Sequence, residues 1–194
     1  SLINAMRTYA KYMDAARNGM VSEQQPDIPS CPEERSKQVK SMCYFMDALH
    51  VGCSAVTPAL LLTKPYINKD LDEVHQELSE LPADRPGFHH HIAHGLQDGI
   101  DQNNQGIDTH THAVVIAYSH SRELKPTEAG FDWLFGTGRH CASLRAAETA
   151  IVLANYLRAL GFEARAHTES TTDIDLAKAA VAAGVADVRS DGEA

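Results

Sequence analysis

Cysteine is scarce and scattered in this chain: Cys31, Cys43, Cys53 and Cys141, with no Cys-x-x-Cys pair. Iron–sulfur clusters and structural zinc sites draw on clustered thiolates, so no iron–sulfur cluster is expected in this chain. The four cysteines read as reduced, mostly buried thiols of a cytoplasmic protein rather than ligands or disulfides. Aromatic residues are sparse at 6%, with a single Trp. No run reaches the roughly eighteen apolar residues that a membrane-spanning helix needs. The N-terminus lacks the basic, apolar and small-residue order of a signal peptide. Lys and Arg number 17 against 26 Asp and Glu, for a formal charge of −9. An acidic chain repels phosphate, which argues against nucleic-acid and anionic-membrane partners. No P-loop, dinucleotide-binding glycine fingerprint or Ser/His/Asp arrangement is present.

A hydrophobic fraction of 43% in 194 residues fits a single globular domain spanning 1–194. Apolar residues repeat at helical spacing in three N-terminal stretches. Leu2, Met6, Tyr9, Met13 and Ala16 make one stripe. Val39, Met42, Cys43, Met46 and Leu49 make a second, on a helix expected over Ser36–His50. Leu71, Val74, Leu78 and Leu81 make a third, capped by Asn68 or Asp70. Between the first two, Pro26, Pro29 and Pro32 fit an extended linker. Val51–Val56 reads as a strand, and Thr57-Pro58 as a helix start. Residues 82–111 are polar and rich in His, Gly, Asn and Asp, and are expected to form a long excursion.

The core resumes with His112–Tyr118, HAVVIAY, an apolar run suited to a strand covered on both faces. Leu144, Ala147, Ile151, Ala154 and Leu157 then mark a helix centred on Ala142–Leu160, closed by Gly161. Phe162, Ala164 and Ala166 alternate with Glu163, Arg165 and His167 at strand period. A final helix, capped by Thr172 or Asp173, would bury Leu176, Ala179, Ala180 and Ala183 and stop at Gly184. Helices alternating with short strands give an α+β fold, layered as α/β structures are.

Three groups carry candidate chemistry. Histidines are abundant, 11 in all. His91 and His94 share a helix face if that stretch is helical, and His110 and His112 flank the start of the apolar strand; together they are the candidate metal ligands. Asp98, Asp101 and Asp108 are candidate carboxylate partners. The stretch Phe131–His140, FDWLFGTGRH, places Gly136 and Gly138 just before a helix N-terminus, where backbone approaches a ligand. Tyr118, at the end of the apolar strand, is a candidate proton donor or an ordinary strand-end tyrosine with its hydroxyl in water.

Ala150, Ala154, Tyr156, Leu157, Arg158, Leu160, Gly161, Phe162 and Ala164 follow the phrase A-x-x-x-A-x-Y-[IL]-R-x-L-G-[YF]-x-A. With Leu176, Ala177, Ala180, Ala183, Gly184, Arg189 and Gly192 downstream, this resembles the cobalamin-dependent reductases that include reductive dehalogenases and epoxyqueuosine reductase. The resemblance implies a nitroreductase-like sheet flanked by helices and cobalamin as cofactor. It implies cofactor contacts from Gly136, Gly138, His140 and Ser143, with Tyr118 as the catalytic acid. The family's Gly-Leu-Gly-like turn is Gly184-Val185-Ala186 here, and its Cys-rich ferredoxin-like motif is absent. The chain therefore reads as a catalytically incomplete module for reductive removal of halide. Its partners would be a small-molecule substrate or a C-terminal catalytic or ferredoxin segment; self-association is open. Two alternatives stand beside it: a non-catalytic scaffold domain of the same fold, and a His-ligated metalloenzyme.

Overall fold

The computed structural model describes residues 1–81, 88–120 and 122–187, without the side chains of 88–90. Seven helices and four strands are found there. Helix α1 (Leu2–Ala15) and α2 (Pro32–Phe45) precede β1 (His50–Ala55). A 3₁₀ turn (Pro58–Leu60) leads to β2 (Leu61–Tyr66), α3 (Leu71–Ser79) and α4 (Phe88–Asp101). Then come β3 (His112–Ala117), α5 (Phe131–Leu134), α6 (Gly138–Ala159), β4 (Thr172–Ile174) and α7 (Leu176–Ala182). Strand β1 pairs antiparallel with β3, from His50 opposite Ala117 to Ala55 opposite His112. Strands β2 and β4 form a second antiparallel pair. The α+β class is thus observed, with the sheet divided into two two-stranded pieces.

Helix α6 is the centre. Good helix formers run through it, and two of its faces are buried. Ile151 and Ala154 pack with Met13 and Ala16 of the α1 segment and with Ala164 and Ala166. Leu153 and Leu157 pack with Cys43, Val51, Val114 and Ile116. Gly161, at φ +81°, closes the helix in the left-handed region that glycine enters without penalty. Burial of Cys43 beneath this layer pushes its thiol up to about 11. Against the expectation of mostly buried thiols, only Cys43 is buried.

Several elements differ from the sequence-based expectation. The second helix runs Pro32–Phe45 rather than Ser36–His50, because the chain turns at Asp47, with φ +65°, before β1 begins. Strand β2 was hidden by Lys64-Pro65, which interrupts any strand pattern. Residues 162–167, expected as a strand, form neither helix nor strand and pair with no strand. The last helix is capped by Asp175, whose carboxylate accepts from the Lys178 N–H, rather than by Thr172 or Asp173. In the expected excursion, residues 82–87 lie outside the described residues, and 88–101 form α4. Ala93 and Ile100 are buried, and the latter packs with Ala15, Leu71 and Val74. Gly99 lets α4 approach the end of α1: a Cβ there would lie 2.8 Å from the Asn18 carbonyl.

A buried ionic cluster ties the N-terminal helix to the C-terminal third. Arg17 is fully buried and donates from Nη2 to Asp173 Oδ2 (2.6 Å), from Nε to Asn103 Oδ1 (2.6 Å) and from Nη1 to the Thr171 carbonyl (3.0 Å). Arg165 approaches the same carboxylate at 3.3 Å. Burial lowers the Arg17 pKa, opposed by Asp173. His167 sits beside this cluster with Nδ1 3.2 Å from the Asp173 N–H, accepting a hydrogen bond. Its 3.6 Å approach to the Asp173 carboxylate is not an ion pair, since burial, followed by the Arg17 charge, lowers its pKa to about 3.

Two outcomes follow from this packing. Ile151→Ala removes a buried side chain at the α1–α6 contact and should cost about 2–5 kcal/mol, read from the urea midpoint. His167 is neutral in the fold, so its contribution is complete above its unfolded pKa of roughly 6.5. That contribution is lost as pH falls through the folded value of about 3. The urea midpoint of His167→Gln should therefore fall less than that of the parent between neutral pH and about pH 4. Equal acid sensitivity in both would mean that His167 is not the group being desolvated.

Candidate functional site

A groove of about 980 Å³ runs between β3, most of α6, residues 162–169, α7 and the first half of α2. Its walls are mostly apolar, because β3 reads Ala-Val-Val-Ile-Ala and α6 presents Ala146, Ala147, Ala150 and Ala154 to it. Its polar lining includes Arg139, Ser143, Glu169, His110, His112 and His120, and the largely covered Arg165 and His167.

At the α6 start, Ser143 Oγ donates to Glu169 Oε2 (2.6 Å), and Arg139 forms an ion pair with Oε1 of the same carboxylate. These bonds, the serine's first, hold Glu169 below the ordinary carboxylate range. His140 Nδ1 is buried with no hydrogen-bond partner. The Gly136 N–H donates to Glu123 Oε2 (2.9 Å). Gly138 opens α6. Of the four expected cofactor contacts, only Ser143 lines the groove.

Tyr118 lines the groove with its ring, packed in the cluster of Cys43, Val51 and Leu153. The Arg145 guanidinium lies over that ring at 5.0 Å from its centre. The Tyr118 hydroxyl bonds to the Met46 carbonyl and to Thr149 Oγ1 (2.7 Å). The reading of a hydroxyl in water is therefore corrected: buried neighbours from α2 and α6 engage it.

The histidines divide between two places. His91 and His94 are exposed on α4. His110 is half-buried, and His112 is exposed with Nδ1 2.8 Å from Thr111 Oγ1. Burial, and next Arg165, lowers the His110 pKa. Asp101 pairs instead with His75 (3.4 Å). Among the described residues, no three of His, Cys, Asp and Glu are grouped so as to hold a metal ion.

Sequence reading missed the groove itself. Its signal was present in the alanines of α6, at Ala146, Ala147, Ala150 and Ala154, too small to fill the space beside a strand. It also missed Glu169, which organises the α6 rim.

Tyr118→Phe should cost about 1–3 kcal/mol, because it leaves the buried Thr149 hydroxyl and the Met46 carbonyl short of a partner. A melting temperature unchanged from the parent would show the hydroxyl to be free for other work.

No family model matches the chain, and no curated protein matches it. Solved structures do. The catabolic reductive dehalogenase NpRdhA is 28% identical, with a TM-score of 0.68 over 94% of this chain and 20% of its own. The same protein in complex with 3-bromo-4-hydroxybenzoic acid gives 27% identity and the same TM-score. A reductive dehalogenase structure described as suggesting a mechanism for B12-dependent dehalogenation is 29% identical. Its TM-score is 0.72, over 99% of this chain and 21% of its own. The chain thus spans about a fifth of the length of these relatives. Across nearly all of its own length, in sequence and in fold, it is similar to the reductive dehalogenases, as the YLRALGFEA phrase of α6 implied.

Proposed function

We propose that the chain is one module of a reductive-dehalogenase-like oxidoreductase, in which reductive removal of halide is completed by polypeptide beyond these 194 residues. The observation that carries this reading is the asymmetry of the match. Similarity covers 94–99% of this chain but only 20–21% of the dehalogenases. The finer fold assignment, a nitroreductase-like sheet, belongs to the same proposal, with the two strand pairs as parts of it. Four free thiols without a disulfide fit a reducing compartment, the cytoplasm.

Cobalamin comes to this chain by likeness to a protein described as B12-dependent, and the residues present do not make a site for it. Ser143 is committed to Glu169, the Gly136 N–H to Glu123, and Gly136, Gly138 and His140 do not line the groove. Tyr118 is held by Met46 and Thr149, which assigns it to positioning β3 against α6 rather than to proton delivery. The non-catalytic scaffold reading gains support from the same commitments. The metalloenzyme reading has no grouped ligand set behind it among the described residues.

Titration with cob(II)alamin, followed by absorbance, separates these readings. The full-length protein should bind one equivalent saturably, and the 194-residue chain alone should not saturate. The chain purified without a metal column should hold no stoichiometric iron, sulfide or zinc. Tight saturable binding by the chain alone would place the cofactor site within it, and no binding by either form would leave the scaffold reading.

A further inference from the structure

The β1–β3 ladder uses one edge of β3. The Val56 N–H donates to the Thr111 carbonyl (2.9 Å) and the Leu49 N–H to the Ala117 carbonyl (2.8 Å). In an antiparallel pair the backbone groups alternate sides. Thr111, Ala113, Val115 and Ala117 therefore turn theirs toward β1, while His112, Val114 and Ile116 turn theirs the other way. Among the described residues no backbone partner meets them there. That edge is half-buried, and unpaired backbone groups away from water are costly.

The facing wall has the complementary defect. Residues 162–167 carry a strand's alternation in sequence, yet no strand forms there and they join no ladder. The Ala166 N–H donates to the Arg17 carbonyl (3.1 Å), and the Ala164 carbonyl accepts from Arg158 (2.7 Å). Those two residues thus point their backbone toward α1 and α6. Glu163, Arg165 and His167 point theirs the opposite way and have no backbone partner among the described residues. Between the two edges lies the 980 Å³ groove, which residues 109–118 and 162–169 line without a break. Thr109 Oγ1 to Glu163 Oε2 (2.7 Å) bridges the two walls at one end.

We propose that this groove receives one extended β-strand that pairs with β3 on one side and residues 162–167 on the other, supplied by the same protein outside these 194 residues. The proposal rests on the module reading above. The relatives that match nearly all of this chain are about five times its length, which provides the occupant. The chemistry of the strand follows from the walls. Ala147, Ala150 and Ala154 of α6 face the groove, as do Ala179 and Ala180 of α7. Alanine layers call for large apolar side chains opposite, so the strand reads as a continuous Val/Ile/Leu/Phe run rather than an alternating one.

Amide hydrogen exchange, resolved residue by residue, tests this on the 194-residue chain and on the full-length protein. In the chain alone, His112, Val114 and Ile116 should exchange rapidly while Ala113, Val115 and Ala117 are protected. In the full-length protein, exchange at His112, Val114, Ile116, Glu163, Arg165 and His167 should slow by about 100-fold or more, as for amides that open only with a packed element. Unchanged exchange at these positions overturns the proposal. So does protection in the chain alone that tracks a concentration-dependent dimer, since the occupant is then a second copy. His112→Pro, at the exposed first position of β3 where proline is tolerated, deletes an outward N–H without touching the core, so the chain alone should keep its melting temperature. The full-length variant should lose protection at Glu163 and Arg165. Unfolding of the chain alone by this variant would mean that His112 faces β1 and would also sink the proposal. Cobalamin binding by a full-length protein with an unprotected edge would reject the strand while keeping the module reading. Protected edges without cobalamin binding would do the reverse.

Discussion

The fold hangs on a guanidinium taken out of water. Arg17 follows α1, yet its donors reach Asn103 after α4, Thr171 and Asp173 in the β4 segment. Its own carbonyl accepts from Arg158 of α6 (3.0 Å) and from the Ala166 N–H. One residue thus joins segments separated by up to 156 positions. A buried charge is tolerable only where its hydrogen bonds are complete. Asp14, one helical turn earlier and also buried, accepts from Thr168, Ser170, Thr171 and Asn68. The loop 167–173 therefore has few conformations open to it: moving it strands an arginine and a carboxylate together.

This constraint sets the shape of the groove. Residues 162–167 are held against the end of α1 and against α6 by Arg17 and Arg158, while Arg165 ties them to the Gln102 and Gln105 carbonyls. Half of their backbone stays turned to the groove. The apolar core is correspondingly divided: one cluster under α3 and α4, one between α2, β1 and α6, one at α7, one between α1 and α6. Polar bonds fix the frame, and hydrophobic packing fills its separate corners.

Much of this was legible in the sequence, for identifiable reasons. Helix α6, β3 and β1 announced themselves because each buries a face against this chain's own residues. Segment α1 is a helix as expected, but Leu2 and Tyr9 of its apolar stripe are exposed while Lys11, Asp14 and Ala15 are buried. Gly161 was readable as a stop because a left-handed closing residue has few alternatives to glycine. Helix α4 was obscured by its histidines, although Ala93, Leu96 and Ile100 keep helical spacing and pack as that spacing demands. The ionic cluster was invisible. Arg17, Asn103, Arg165 and Asp173 are far apart in the chain, and no local pattern marks a polar residue that will be buried. The resemblance was carried by the α6 phrase, and Arg158 within it is now explained as the donor to the Ala16, Arg17 and Ala164 carbonyls.

The stretch 162–167 shows what a two-residue period reports. Glu163 is exposed and Ala166 buried, but Arg165 and His167 are covered as well, with side chains 5% and 15% exposed, and no strand forms, so the alternation of a half-buried strand is only partly realised. Alternation is a property of side-chain burial, whereas a ladder is a property of backbone pairing, and the two separate wherever side chains supply the hydrogen bonds. Here the Arg17 and Arg158 guanidinium groups reach the Ala166 and Ala164 carbonyls. An arginine side chain has taken the place that a neighbouring strand fills in a continuous sheet. That substitution serves one edge only, because each guanidinium approaches from the α1 and α6 side. The opposite edge keeps its donors and acceptors directed into the groove, and the apolar walls of β3 and α6 keep water a poor substitute for a partner there.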